Sequence, residues 1–363
     1  MGWVSASLIC AGFAAQADSL RIASFNTELS RKGPGLLLRD IQRGTDDVLA
    51  VAAIIARIKP DIIALQDIDY DADNRALSAL GEKIGDAGHQ MRYSFALRPN
   101  TGLPTGLDID GNGKLDEARD AQGYGRFAGD GGMALLSRYP VLTSQVVSYS
   151  KVLWRDVPNA NLPTWDGQLF PTDAVFDVQR LSTTGHWSVP VEIAPSQIFT
   201  ALMFHATPPV FDGPEDRNGK RNGDEIRLWS QILDGQTGVP PRPPFAIMGT
   251  SNLDPVDGQG LHQTQLDLLA HPMITDAQPV SQGGLLAADP DHKGNPALDT
   301  VDFDGPGNLR VDYVLPSADL SITNSGVFWP AEGSPDAKLL GDDGRAAGRH
   351  RLVWVDVILR DVP

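Results

Sequence analysis

The sequence predicts an α/β fold on two observations. Short apolar, β-prone runs recur along the chain, and stretches with helical apolar spacing separate several of them. "LRIASFNTEL" (20–29) reads as a strand, "DDVLAVAAIIARIKP" (46–60) as a helix stopped by Pro60, and "DIIALQDIDY" (61–70) as a second strand, so the chain opens β-α-β. "GGMALLS" (131–137), "IFTALMFHATPP" (198–209), "FAIMGTSN" (245–252), "RVDYVLPS" (310–317) and "HRLVWVDVIL" (350–359) read as further strands. "DEIRLWSQIL" (224–233) and "LHQTQLDLLA" (261–270) keep helical spacing. The Gly/Pro/Asp-rich stretches 99–132, 208–224, 283–308 and 330–349 read as long surface loops, and no fixed-period repeat is visible.

A chain of 363 residues is long enough to bury a sizeable core. Its net charge of -16 argues against holding nucleic acid by a broad basic face, though not against brief catalytic contact with a phosphate backbone. The opening "MGWVSASLICAGFAAQA" is apolar, too short to span a bilayer, and ends in an A-x-A signature at Ala15-Gln16-Ala17. Residues 1–17 therefore read as a signal peptide of a secreted protein, periplasmic or extracellular, leaving 18–363 as a single domain. The signal lacks a basic n-region, and the competing reading is a misassigned start or an N-terminal strand. Cys10, the single cysteine, lies inside this segment, so the mature chain would form no disulfide. Nothing in the mature sequence reads as a membrane span, and a monomer is expected.

Several strands begin or end in a polar residue: Asn26, Gln66-Asp67, His205, Asn252, Asp312 and His350. Each alone fits a turn cap or a satisfied core group; together they read as one site. With these residues, the ordered set "RIASFN", "IIALQD", "GGMALLSRYP", "FHATPP", "GTSNLDP", "RVDYVLPS" and "RHRLVWVDVIL" resembles the endonuclease/exonuclease/phosphatase superfamily over about residues 20–360. The resemblance implies a four-layer α-β-β-α sandwich of two mixed sheets flanked by helices, with the site at one end of the sheets. It also implies hydrolysis of a phosphate ester, of nucleic acid or another phosphodiester, with Mg²⁺ or Mn²⁺. On that likeness Asn26 touches phosphate or a metal-bound water, Asp67 stands at the metal position, and His205 and His350 flank the scissile phosphate. Asp312 orients His350, and Asn252 matches the Asn of a "GDFN" segment.

Three positions depart from the family pattern. Thr250 stands where the water-activating Asp belongs, Arg349 replaces an Asp beside the metal, and Asp67 shortens the usual metal-binding Glu. A hydroxyl is no carboxylate base at neutral pH, and its loss forfeits roughly 10²- to 10⁴-fold in rate. Arg349 is expected to occupy the vacated metal position and pair with Asp67; the other reading has it pointing into solvent. The functional expectation is a metal-dependent phosphodiesterase with reduced activity, the alternative a non-catalytic anion-binding module. Asp224 and Asp254 stand as acids able to move into the missing roles.

"DIDGNGKLDEARD" (108–120) begins like an EF-hand calcium loop, with Asp108, Asp110, Asn112 and Asp116 at ligand spacing, Gly113 at the bend and, since position twelve is Arg119, Asp120 or Glu117 to close the shell; the other reading is an ordinary Asp/Gly turn. It reads as a structural calcium site in an insertion, 99–132, beside the active-site face. Arg217, Lys220 and Arg221 read as part of a solvated loop; the other reading has them reaching a phosphate from just beyond His205. Trp229 and Trp354 read as core, and Trp154, Trp165 and Trp187 as the tryptophans open to a ligand.

Overall fold

The computed structural model describes residues 19–359; the expected signal peptide and Cys10 lie outside the described residues. In chain order the first half contains β1 (Ser19–Asn26), α1 (Leu36–Arg43), α2 (Asp46–Ile58), β2 (Ile62–Ile68), α3 (Arg75–Asp86), β3 (Tyr93–Phe95), β4 (Gly132–Ser137), β5 (Val147–Ser148), β6 (Thr164–Trp165), β7 (Gln168–Leu169) and α4 (Asp173–Phe176). There follow β8 (His186–Ala194), β9 (Gln197–His205), α5 (Arg217–Leu233), β10 (Phe245–Thr250), α6 (His262–Leu269), α7 (Gln282–Leu286), β11 (Val301–Phe303), β12 (Gly307–Leu309), β13 (Asp312–Pro316), β14 (Ser321–Val327) and β15 (Val353–Ile358).

Most strands assemble into two mixed sheets, in the orders β14-β15-β1-β2-β4-β3 and β13-β10-β9-β8-β5, while β6 pairs with β7 and β11 with β12 as separate two-stranded ribbons. At the centre of the first, β1 runs parallel to β2 and antiparallel to β15. In the second, β10 runs parallel to β9 and antiparallel to β13. Side-chain alternation along a strand explains the layering. On β10, Ala246 and Met248 face the core shared with the first sheet, while Phe245 and Ile247 face the core containing Ile226 and Trp229 of α5 and Leu268 of α6. The shared core also takes in Val48, Val51, Ala52 and Ile55 of α2, which covers the outside of the first sheet. The result is the four-layer α-β-β-α sandwich.

Local signals explain the helix ends. α2 carries Asp46 and Asp47 in its first turn, where the helix dipole favours negative charge, and ends at Lys59, left-handed at φ 58°, just before Pro60. The stretch 208–224 is not the continuous loop its composition suggests, because α5 starts at Arg217 and carries Gly219 and Gly223 inside it. Tertiary packing overrides helix propensity here. A Cβ on Gly223 would meet Leu261 at 3.0 Å, so glycine allows α6 to lie close. Arg221 is buried in this helix, not solvated. Likewise 283–308 holds most of α7, β11 and part of β12. Among the described residues no helix is long and apolar enough to cross a membrane.

Candidate active site

Both sheets deliver polar side chains to one end. The parallel pairing of β1 and β2 sets Asn26 opposite Gln66. The β2–β4 register then slips between Gln66 and Ile68, and Asp67 takes a left-handed φ of 52°. A bulge re-aims the side chain it carries, and here it places the Asp67 carboxylate on a cleft wall. Gly131 makes room: its own φ is 55°, and a Cβ there would sit 2.8 Å from Asp67 Oδ1. Burial pushes the Asp67 carboxyl up to about 6; the nearby Glu28 and Asp130 charges add to this, against a hydrogen bond from Ser30 and the charge of His350.

In the second sheet, His205, Thr250 and Asp312 lie side by side in register at the ends of β9, β10 and β13. Thr250 Oγ1 donates to Asp312 Oδ1 at 2.6 Å, and the other carboxylate oxygen, Oδ2, meets His350 Nδ1 at 2.8 Å. Burial opposes charge on His350, but Asp312, with help from Glu28, outweighs it and raises the imidazole above its ordinary value. Burial pushes His205 the other way, down to about 4, and repulsion from His350 contributes. His205 Nδ1 is buried without a hydrogen-bond partner. At neutral pH the site therefore pairs a neutral imidazole with one that favours its proton.

Asn252 also has a left-handed backbone, φ 54°, and its Nδ2 donates to Ala206 O at 2.8 Å, bracing the chain just past His205. Asn26 Oδ1 accepts the Glu28 N–H at 3.3 Å. The six strand-edge residues thus gather at one end of the sandwich. Asp224 and Asp254 do not join them. Asp224 holds Trp154 Nε1 and the Asn161 N–H, and Asp254 accepts the N–H groups of Val256, Asp257 and Arg310.

The expected Arg349–Asp67 pair does not form. Arg349 binds Glu28 instead, through Nε at 2.9 Å, through Nη2, and through its backbone N–H at 2.5 Å, and its guanidinium lies 5.2 Å from the Phe303 ring centroid. Glu28 leaves β1 in a left-handed turn (φ 46°) that carries its longer side chain to the Gly348–Arg349 loop. A Cβ on Gly348 would lie 2.5 Å from Glu28 Oε2. Glu28, the partner of Arg349, is the residue of this region that the sequence reading leaves out; its one signal is an acid two residues past Asn26.

A cleft of ≈ 520 Å³ opens over Asp67 and His205. Thr101, Ile109, Tyr124 and Asp130 from 99–132 form one side, and Arg217 and Arg221 of α5 another, so the insertion does wall the site. Trp154 and Trp187 are fully buried and Trp165 is on the surface, so none of the three lines this cleft; Trp229 is core, and Trp354 is half-buried beneath Arg21.

Asp67 fits a hard divalent cation. It is a half-buried carboxylate raised toward neutrality, with acids as neighbours and no arginine or lysine ion pair among the described residues. Glu28 fits less well, because Arg349 already engages both its oxygens. In the 108–120 loop, Asp108, Asp110 and Asp120 bring carboxylate oxygens within 4.8 Å of one another. Asn112 adjoins them, its Nδ2 donating to Asp110 and Glu117. Asp116 is exposed and outside that group, with a left-handed φ of 62°. Arg119, where the bidentate Glu of such loops would stand, lies 3.7 Å from Asp110.

The model of the endonuclease/exonuclease/phosphatase family matches residues 23–344. No curated protein matches the chain significantly. Among solved structures, the endonuclease/exonuclease/phosphatase from Beutenbergia cavernae DSM 12333 superposes with a TM-score of 0.55 at 18% identity, over 94% of this chain and 72% of that one. The corresponding protein from Bacteroides vulgatus gives 0.51 at 14% identity, over 94% and 100%. The family protein from Leptotrichia buccalis C-1013-b gives 0.50 at 14%, over 94% and 99%. At these identities the structural likeness speaks to the fold. With a family model matched over most of its length, this chain belongs to the endonuclease/exonuclease/phosphatase family.

Proposed function

We propose that the protein is an exported, metal-assisted phosphodiesterase that works without the usual carboxylate base. The observation carrying this reading is the opposed charge preference of two imidazoles in one site: His350 drawn toward its protonated form by Asp312, His205 kept neutral by burial. A phosphodiester entering between them accepts a hydrogen bond from the His350 imidazolium, which orients and stabilises charge growing on the phosphoryl oxygens. His205 is the group left to take a proton from the attacking water, since Thr250 spends its hydroxyl on Asp312. A base near 4 is weak, but the substrate's negative charge offsets the repulsion from His350 and makes His205 more basic when substrate is bound. A divalent cation held by Asp67, with Asn26 beside it, would neutralise phosphate charge.

Hydrolysis of plasmid DNA and bis-p-nitrophenyl phosphate across a Mg²⁺ or Mn²⁺ titration tests the reading, with His205→Ala and His350→Ala as controls. Metal-stimulated turnover lost in both variants supports it. Anion binding without turnover by the wild type leaves the binding module instead. The convergence of Asp108, Asp110 and Asp120 supports a second, structural role for calcium in ordering the cleft wall.

A further inference from the structure

The cleft has a second pole, cationic and apart from the groups assigned to the scissile phosphate. Besides Asp67 and His205, its lining carries Arg119, Arg126, Arg217 and Arg221, in a chain whose net charge is -16. Arg119 is partly offset by Asp110, 3.7 Å away. The other three keep their charge. Arg217 Nη1 donates to the carbonyl of Ile109, and Arg221 donates through Nε and Nη2 to the carbonyls of Leu181, Gln122 and Arg180. Carbonyls fix the direction of a guanidinium without cancelling it. Glu225 lies near Arg221, but its two oxygens accept the N–H groups of Thr183 and Thr207, and burial pushes its carboxyl up to about 7. Arg126 is exposed on the wall, and its backbone N–H, not its guanidinium, is what binds Asp130.

Buried or half-buried guanidiniums directed by carbonyls, with no carboxylate in ion-pair contact, are free to take an anion from outside, although Asp110, Glu215 and Asp212 lie near enough to Arg217 to weaken its field. The ≈ 520 Å³ cleft is also larger than one phosphoryl group fills. Resting on the phosphoesterase reading, we propose that the cleft selects substrates carrying a second anionic group, a phosphate one or two residues from the scissile one, with Arg126, Arg217 and Arg221 as its subsite. That group is equally a neighbouring phosphate of a nucleotide chain or a phosphate on a sugar headgroup.

Two matched substrate pairs separate those sources: thymidine 5′-(p-nitrophenyl phosphate) with and without a 3′-phosphate, and glycerophosphoinositol with and without a ring phosphate. The extra phosphate is expected to raise kcat/KM at least tenfold in one pair, mostly through KM, and the preferred pair names the source. In R126Q and R217Q that ratio falls about tenfold; a ratio cancels general losses of activity, and Arg126, being exposed, is a safe site for folding. A ratio near one in both pairs, or one unchanged in both variants while bis-p-nitrophenyl phosphate is still cleaved, overturns the subsite and leaves the hydrolase reading standing. If the wild type cleaves nothing, calorimetry in chelator decides. Pyrophosphate binding at least tenfold tighter than phosphate, and weakened in R126Q, upholds the subsite without the hydrolase; equal affinities overturn it.

Discussion

Replacing Asp67 with asparagine should make the protein more stable while removing the proposed cation site. The folded carboxyl sits at about 6 against an ordinary 3.8, so the native state holds that proton more tightly than the unfolded chain does. Stability is therefore penalised as pH rises through the window from 3.8 to about 6, and the full penalty persists above it. Roughly two pKa units at about 1.4 kcal/mol each set an upper bound of about 3 kcal/mol, and water in the open cleft reduces it to about half. Asparagine has nearly the same shape and no titration. Urea unfolding in chelator should show Asp67→Asn more stable than wild type by ~1–3 kcal/mol at pH 7.5, with the gap closing below pH 4. Adding Mg²⁺ should stabilise the wild type alone, by about 1.4 kcal/mol at ten times its Kd. A variant less stable than wild type at pH 7.5, or a gap equal at pH 4 and 7.5, refutes the reasoning. The confirmed outcome would be a site acid kept at a cost to stability.

Three further outcomes are expected. Arg349→Asp releases Glu28 from its guanidinium and adds a carboxylate, so Mn²⁺ affinity, followed by calorimetry, should rise at least about tenfold; unchanged affinity would show that Arg349 does not limit the site. Thr250→Val removes a buried donor to Asp312 and should cost about 1–3 kcal/mol in urea unfolding. Activity should rise with pH through about 6, as Asp67 ionises, and fall above the ordinary histidine range as His350 loses its proton; a rate that climbs steadily to pH 9 contradicts an imidazolium at 350.

The α/β alternation, the helix stopped by Pro60 and the strand-edge polar residues were legible because each is local: periodicity, a missing N–H, a polar residue ending an apolar run. The ordered motifs then pointed to the four layers. Glycine-rich composition hides the start of α5, since Gly223 serves a close contact with Leu261 at the start of α6 that no local window contains. Arg349 stands out in the sequence as an odd charge, yet its partner is Glu28, some 320 residues away in sequence, and only the folded path of the chain selects it over Asp67.

Sequence alone determined which chemical groups this protein owns: two histidines, their acid, a shortened metal carboxylate, and the absence of aspartate at 250 and 349. Tertiary structure decided their states. The same imidazole ring falls to about 4 at position 205 and is raised at 350, because burial acts on both and only one meets a carboxylate. Desolvation and charge pairing depend on distances between residues far apart in the chain, so no reading of residue types could set them.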